Sequence, residues 1–187
     1  MTLLKTPGSL PVIRKLSKND DLAQIKALLK EAFPKSYDTN EALEEEVSDF
    51  LKEAYLVFID IEKNEIKGLI GAMPQYGHTG YELHPLVVKK TYRQQGIGKN
   101  LLKTLEATLA KQGCLILYLG TDDEDFQTSL SQRDIYEDPL EALKNIKNLA
   151  NHPYSFYLKH HYKLLGVIPD ANGINKPDII MGKRLIP

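Results

Sequence analysis

The sequence predicts a single mixed α/β domain, and three observations carry that reading. Three strand-like runs, AYLVFIDI (54–61), IKGLIGAM (66–73) and YELHPLVV (81–88), follow one another across short turn segments. Helices are expected over 20–33, 40–52 and 97–112, where apolar spacing, acidic composition and stop residues fit helical geometry. The chain has 187 residues, 42% hydrophobic and 26% charged, which is the size and balance of one ordinary globular domain.

Residues 10–16 form a short first strand. In 20–33, Leu22, Ile25, Leu28 and Leu29 share a face, Asn19-Asp20 offers a cap and Pro34 stops the helix. Segment 40–52 is a second, acidic helix. Lys63-Asn64 turns the chain between the strands at 54–61 and 66–73. In 97–112, Leu101, Leu102, Leu105 and Leu109 point inward and Gly113 ends the helix. LILYLG (115–120) is the next strand, and 121–138 reads as polar loop. PLEALKNIKNL (139–149) is helical with proline in its first turn, and 153–161 is a short helix. Strands 162–168 and 178–185 close the chain, joined by a turn at Asn172-Gly173.

Composition excludes several functions. A net charge of −1 argues against nucleic acid. No stretch approaches the roughly 20 apolar residues that cross a membrane, and no signal peptide is visible, so a cytoplasmic protein is expected. The single cysteine, Cys114, lies in an apolar run and reads as an inert core thiol. The five histidines form no H-E-x-x-H pair, so no metal site is expected. No G-x-S-x-G marks a serine nucleophile.

The segment 81–109 is the most informative. A strand ends at Val88, a turn holds Arg93-Gln94-Gln95-Gly96-Ile97-Gly98-Lys99, and an amphipathic helix follows. Glycines let a backbone approach a ligand closely, and unpaired amides at a helix start suit a phosphate. Leu101 stands where a dinucleotide fingerprint needs its third glycine. Arg93 and Asn100 break the P-loop pattern. Arg-x-x-Gly-x-Gly after a strand instead resembles the pyrophosphate loop of the GNAT acyl-CoA N-acetyltransferases. An ordinary strand-turn-helix junction is the structural alternative.

Pro85, in mid-strand, cannot donate to a ladder and favours an edge or a bulge. A strand that bulges and splays from its neighbour could admit an extended, amide-rich cofactor arm. By alternation Glu82, His84, Leu86 and Val88 are expected on one face. Acyl transfer from a thioester to an amine needs a base, an oxyanion donor and an acid. Glu82 and His84 are candidates for the first, directly or through water. The Leu86 amide is the candidate for the second, and Tyr157, expected to share a helix face with Tyr154 and His161, for the third. Each has a structural alternative: an ion pair for Glu82, a half-buried histidine for His84, core packing for Tyr157. Residues 121–141 hold eight carboxylates against Arg133, and 41–53 hold six against Lys52. Such runs are ordinarily solvated surface, but lining a cleft they would attract a polycation.

PQYGHTGYELHPLVV (74–88), YLGTDDED (118–125), TSLSQRDIYE (128–137), NLANHPYSFYLKHHYKLLGVIPDANG (148–173) and KPDIIMGKRLIP (176–187) resemble the aminoglycoside 6′-N-acetyltransferases of the GNAT superfamily. The resemblance runs from about residue 66 onward. It implies the GNAT fold, a mixed central sheet with a bulged, splayed strand flanked by helices, over residues 1–187. It implies acetyl-CoA as acetyl donor, the 6′-amine of an aminoglycoside as acceptor, and a homodimer. Glu82 and His84 would assist deprotonation, the Leu86 amide would polarise the thioester carbonyl, and Tyr157 would be the general acid. The backbone of Leu86, Val87 and Val88 would pair with pantetheine, and Arg93 through Lys99 would cradle the pyrophosphate. Asp122 and Asp123 would face the cationic sugar rings, with Glu82 beside the acceptor. Tyr81 stands where tryptophan is common. His160-His161 replaces a commoner Leu-Gly, which predicts a less sharply turned helix end. The other readings are a GNAT enzyme for a polyamine, a peptide or a protein lysine, and a noncatalytic acetyl-CoA sensor, which the retained Glu82, His84 and Tyr157 argue against.

Overall fold

The structure, a computed structural model, describes residues 11–186. The mixed α/β character and the bulged strand are both present, and the chain divides into two compact units at Cys114/Leu115. Residue 10, the first of the expected opening strand, lies outside the described residues.

In the first unit, β1 (Val12–Lys15), β2 (Leu56–Glu62), β3 (Glu65–Pro74) and β4 (Gly80–Val88) pair antiparallel in that order. Helix α1 (Leu22–Ala32) begins one residue later than the Asn19-Asp20 cap would place it. Asp21 is the cap, accepting from the Ala23 amide at 3.1 Å. Asp20 is occupied elsewhere, taking both ends of the Arg14 guanidinium at 2.8 and 2.5 Å. Helix α2 (Asn40–Phe50) is capped by Thr39, which accepts from the Ala42 amide. Ile25, Leu28 and Leu29 of α1 and Leu43, Val47 and Phe50 of α2 bury with Val57, Ile59, Leu69 and Val87 of the sheet. Each such side chain contributes roughly 1.5–3 kcal/mol, more than an exposed ion pair, so this apolar face holds the two helices in place.

Helix α3 (Ile97–Lys111) lies on the other face, burying Ile97, Leu101, Leu102, Leu105 and Leu109. A Cβ built on Gly68 of β3 would meet Leu101 and Ile97, which identifies the α3 side of the sheet. Gly113 takes φ 84° and ends the helix as expected. Cys114 is fully buried, and its thiol lies 3.6 Å from the Thr79 carbonyl.

In the second unit, β5 (Ile116–Asp122) and β6 (Lys163–Ile168) flank β7 (Asp178–Arg184), both antiparallel to it. Helix α4 runs only from Pro139 to Lys144, five residues short of the expected end. The remainder returns as extended chain, because the Leu149 amide bonds the Gln127 carbonyl at 2.8 Å and Thr128 bridges to Asn148. Helix α5 (Tyr154–Lys159) buries Tyr154 and Tyr157. His161 does not share their face, because the helix has ended and His161 takes φ 70°. The Tyr162 amide then bonds back to the Tyr157 carbonyl at 3.1 Å. The helix end is therefore as sharply turned as a glycine would make it, contrary to the expectation from the doublet.

Candidate functional site

Strand β4 carries the candidate catalytic residues of the first unit. Its register with β3 pairs Leu86 with Ile70 but Leu83 with Ala72. His84 and Pro85 therefore oppose one residue, Gly71, and form the bulge that Pro85 predicts. Gly71 is required there, since a Cβ would stand 2.5 Å from the His84 carbonyl oxygen. The extra residue corrects the expected alternation. Leu86 and Val88 pair with Ile70 and Gly68 and face α3. Glu82 pairs with Met73 on the opposite face, with Val87 and Leu69. His84 reaches that face too, with Nε2 3.2 Å from Glu46 Oε1 on α2. Glu82 and His84 thus stay together, while Leu86 and Val88 contribute backbone from the other side of the bulge.

A polar cluster surrounds this pair. Gln75 donates to the Glu82 carboxylate at 3.0 Å. Tyr55 donates to the Met73 sulfur at 3.4 Å, and its phenol is pushed up to about 12 by burial and by Glu46, Asp49 and Glu82. Tyr37, buried between α1 and α2, hydrogen-bonds Glu46; burial first, then that carboxylate, raises its phenol above the ordinary value. By sequence Glu46 is one of six acidic residues in 41–53, and neither it nor Tyr37 is among the expected site residues. The signal was present: Glu46 lies three residues after Leu43 and four before Phe50, on the stripe that the helical repeat assigns to the core.

The loop after β4 has the form an anion cradle needs. Gln94 and Gly96 take φ 62° and 84°, and Gly96 is the N-cap of α3. The first amides of a helix have no partner one turn back. A Cβ added to Gly96 would meet nothing within 4 Å, so the approach to those amides is open, and residues 93–96 and Lys99 are exposed. Arg93 folds back, its Nε donating to the Val88 carbonyl at 3.0 Å, which ties the loop to the strand end. Gln95 holds the Thr91 carbonyl at 3.2 Å. These residues fit a pyrophosphate.

In the second unit, Tyr157 is buried, edge-on to Phe156 and Tyr162 with ring centroids 5.2 and 5.5 Å away. Burial pushes its phenol above the ordinary value, so it stays protonated. Asp122 is exposed and takes the Asn172 amide at 2.5 Å. Asp123 is placed otherwise than a substrate ligand would be. It is fully buried, and it accepts from the Gln127 and Thr128 amides at 2.6 and 2.9 Å and from the Thr128 and Ser131 hydroxyls. Of segment 121–138, expected as loop, Thr121 and Asp122 end β5, and the rest is an ordered turn structure around one carboxylate, with short 3₁₀ turns at Ser129–Gln132 and Ile135–Glu137. His152, buried nearby in sequence space to α5, donates from Nε2 to the Asp122 carbonyl at 3.0 Å and accepts the Tyr154 amide at Nδ1. Among the described residues, no group of three His, Cys, Asp or Glu could hold a metal ion, and no helix is long and apolar enough to cross a membrane.

The model of the acetyltransferase (GNAT) family matches residues 22–131. No curated protein matches the chain. Among solved structures, an aminoglycoside 6′-N-acetyltransferase complexed with coenzyme A is 42% identical over 94% of this chain and 98% of its own, with a TM-score of 0.90. The aminoglycoside 6′-N-acetyltransferase from Enterococcus faecium is also 42% identical over the same shares, with a TM-score of 0.87. An aminoglycoside 6′-acetyltransferase type Ii is 36% identical, again over 94% and 98%, with a TM-score of 0.74.

Proposed function

The chain belongs to the GNAT family of acetyltransferases, and from that premise we propose that it transfers the acetyl group of acetyl-CoA to the 6′-amine of aminoglycosides, inactivating them. The observation that carries the substrate is the 42% identity, over nearly the whole of both chains, to an aminoglycoside 6′-N-acetyltransferase. The open, glycine-capped start of α3 supports the donor. The family match runs from 22 to 131 and so spans the division at Cys114, which supports one catalytic domain over the chain. A homodimer in the cytoplasm is part of the same reading, the first from the subgroup resemblance and the second from the need for acetyl-CoA.

Acetyl-CoA supplies the acetyl group as a thioester. Arg93 through Lys99 hold its pyrophosphate with backbone amides and the start of α3. The backbone of Leu86, Val87 and Val88 pairs with its amide arm, and the Leu86 amide steadies the charge that develops on the carbonyl oxygen. Glu82 and His84 take the proton from the 6′-ammonium, directly or through water, freeing the nitrogen to form the new N–C bond. As the C–S bond breaks, Tyr157 gives its phenolic proton to the departing sulfur. Asp122 draws the cationic sugar rings, while Asp123 acts by shaping the segment that presents Asp122.

Steady-state thiol release from acetyl-CoA, comparing a 6′-amino aminoglycoside with a 6′-hydroxyl one, tests the reading. Turnover with the 6′-amine alone is expected. Turnover with neither, in protein that binds acetyl-CoA, shifts the acceptor to another amine. Tyr157→Phe is expected to lower kcat by about 100-fold with acetyl-CoA affinity unchanged. An equal loss of both would make Tyr157 structural.

A further inference from the structure

Glu46 is a carboxylate on a stripe built from Leu43, Val47 and Phe50. Its Oε1 is buried and makes no aligned hydrogen bond, yet His84 Nε2 lies 3.2 Å away. Leaving a buried carboxylate oxygen without a donor costs free energy that an apolar residue at the same place would avoid. Catalytic hydrogen bonds are often loose before substrate binds and tighten afterwards. Three elements converge here: Tyr37 from the α1–α2 connection, Glu46 from α2, and His84 from the β4 bulge.

We propose that Glu46 is a positioning residue for acetyl transfer, holding the His84 imidazole by Nε2 so that Nδ1 is the nitrogen that receives the substrate proton, with Tyr37 fixing the carboxylate. The inference rests on the acetyltransferase reading above. A carboxylate on one ring nitrogen sets the tautomer and strengthens the other nitrogen as a base. The proton passes from the ammonium to Nδ1, and the resulting imidazolium is stabilised by Glu46. Glu46 acts on the Tyr55 phenol together with Asp49 on α2 and Glu82 on β4, so the region carries other negative charge. Negative charge of any origin favours an imidazolium, so the specific contribution of Glu46 is read in the tautomer.

The test is nitrogen-15 NMR of the histidines in the full-length protein, with the His84 signals assigned from His84→Gln. Wild type is expected to show the Nε2–H tautomer. Glu46→Gln is expected to move the His84 titration midpoint down by about one pH unit, a roughly tenfold loss of proton affinity. The acid limb of the kcat/KM profile should move with it. Glu46→Asp, which keeps the charge on a shorter arm, should give an intermediate shift and serves if the glutamine variant does not fold. A His84 midpoint unmoved in the variants, or an Nδ1–H tautomer in wild type, overturns the proposal. Because the titration needs no substrate, a wild-type protein that acetylates no aminoglycoside but shows the shift loses its proposed acceptor and keeps its dyad.

Discussion

The acidic stretches 41–53 and 121–141 look alike in sequence and differ in what one carboxylate of each does. Asp123 is saturated: two amides and two hydroxyls of its own segment converge on it. Glu46 is undersupplied, with a phenol from Tyr37 and an imidazole at 3.2 Å. A carboxylate whose acceptor sites are filled by its own segment is scaffold. One that retains an unaligned oxygen beside a histidine is available for chemistry. Charge counting cannot separate the two; donor counting does.

The largest effect that sharpens this contrast is Asp123→Ala. It strands four donors around a fully buried position, and about 3 kcal/mol of unfolding free energy should be lost, read from a denaturant melt. The Asp123 carboxyl carries a pH signature as well. Burial pushes it up, but the bonds from Ser131, Thr128 and Gln127 outweigh that and hold it below the usual range. Its contribution is therefore present above about pH 4 and lost as pH falls through the depressed value, a loss the alanine variant should not show. A variant as stable as wild type would break the scaffold assignment.

A smaller effect comes from His152. Burial lowers its imidazole, against opposing pushes from the Asp122 carbonyl and the Asp123 and Asp122 charges. Protonation at Nδ1 would set two donors, that nitrogen and the Tyr154 amide, against each other. The stability it lends is complete above about pH 6.5 and falls as pH drops toward the depressed value, at up to about 1.4 kcal/mol per unit. Chemical denaturation at pH 7.5 and 5.5 should show this loss in wild type and not in His152→Gln. The smallest effect is the control. Glu44, which pairs with Lys26 on the exposed side of α2, should change stability by less than about 0.5 kcal/mol when replaced by alanine. A larger loss would mean the whole acidic helix, and not Glu46 alone, is structurally engaged.

Much of the fold was legible because its signals are local. The glycine turn, the α3 leucines and the β2–β3 turn each depend on a few neighbouring residues, and each lies where spacing put it. The failures share a different cause. Helix α4 is cut short by a bridge between Thr128 and Asn148, twenty residues apart. The segment around Asp123 reads as loop because its order comes from side chains closing on one carboxylate, which leaves no periodicity. His161 fills a left-handed position that composition would assign to glycine. The face of Glu82 depended on counting residues across from β3, a quantity that no single strand contains.

That count has a consequence for the strand as a whole. The spare residue at His84-Pro85 acts as a phase shift between two halves of β4. If all the residues paired in an unbroken ladder, everything before Pro85 would turn over, sending Glu82 into the apolar layer under α3 and Leu83 out of it. Removing one residue at the bulge would leave the phases of both halves where they are. Aligning such a chain, or grafting its strand into another, is therefore a matter of where the extra residue falls, and a gap placed two positions away would preserve every letter while pointing the carboxylate at the wrong side of the sheet.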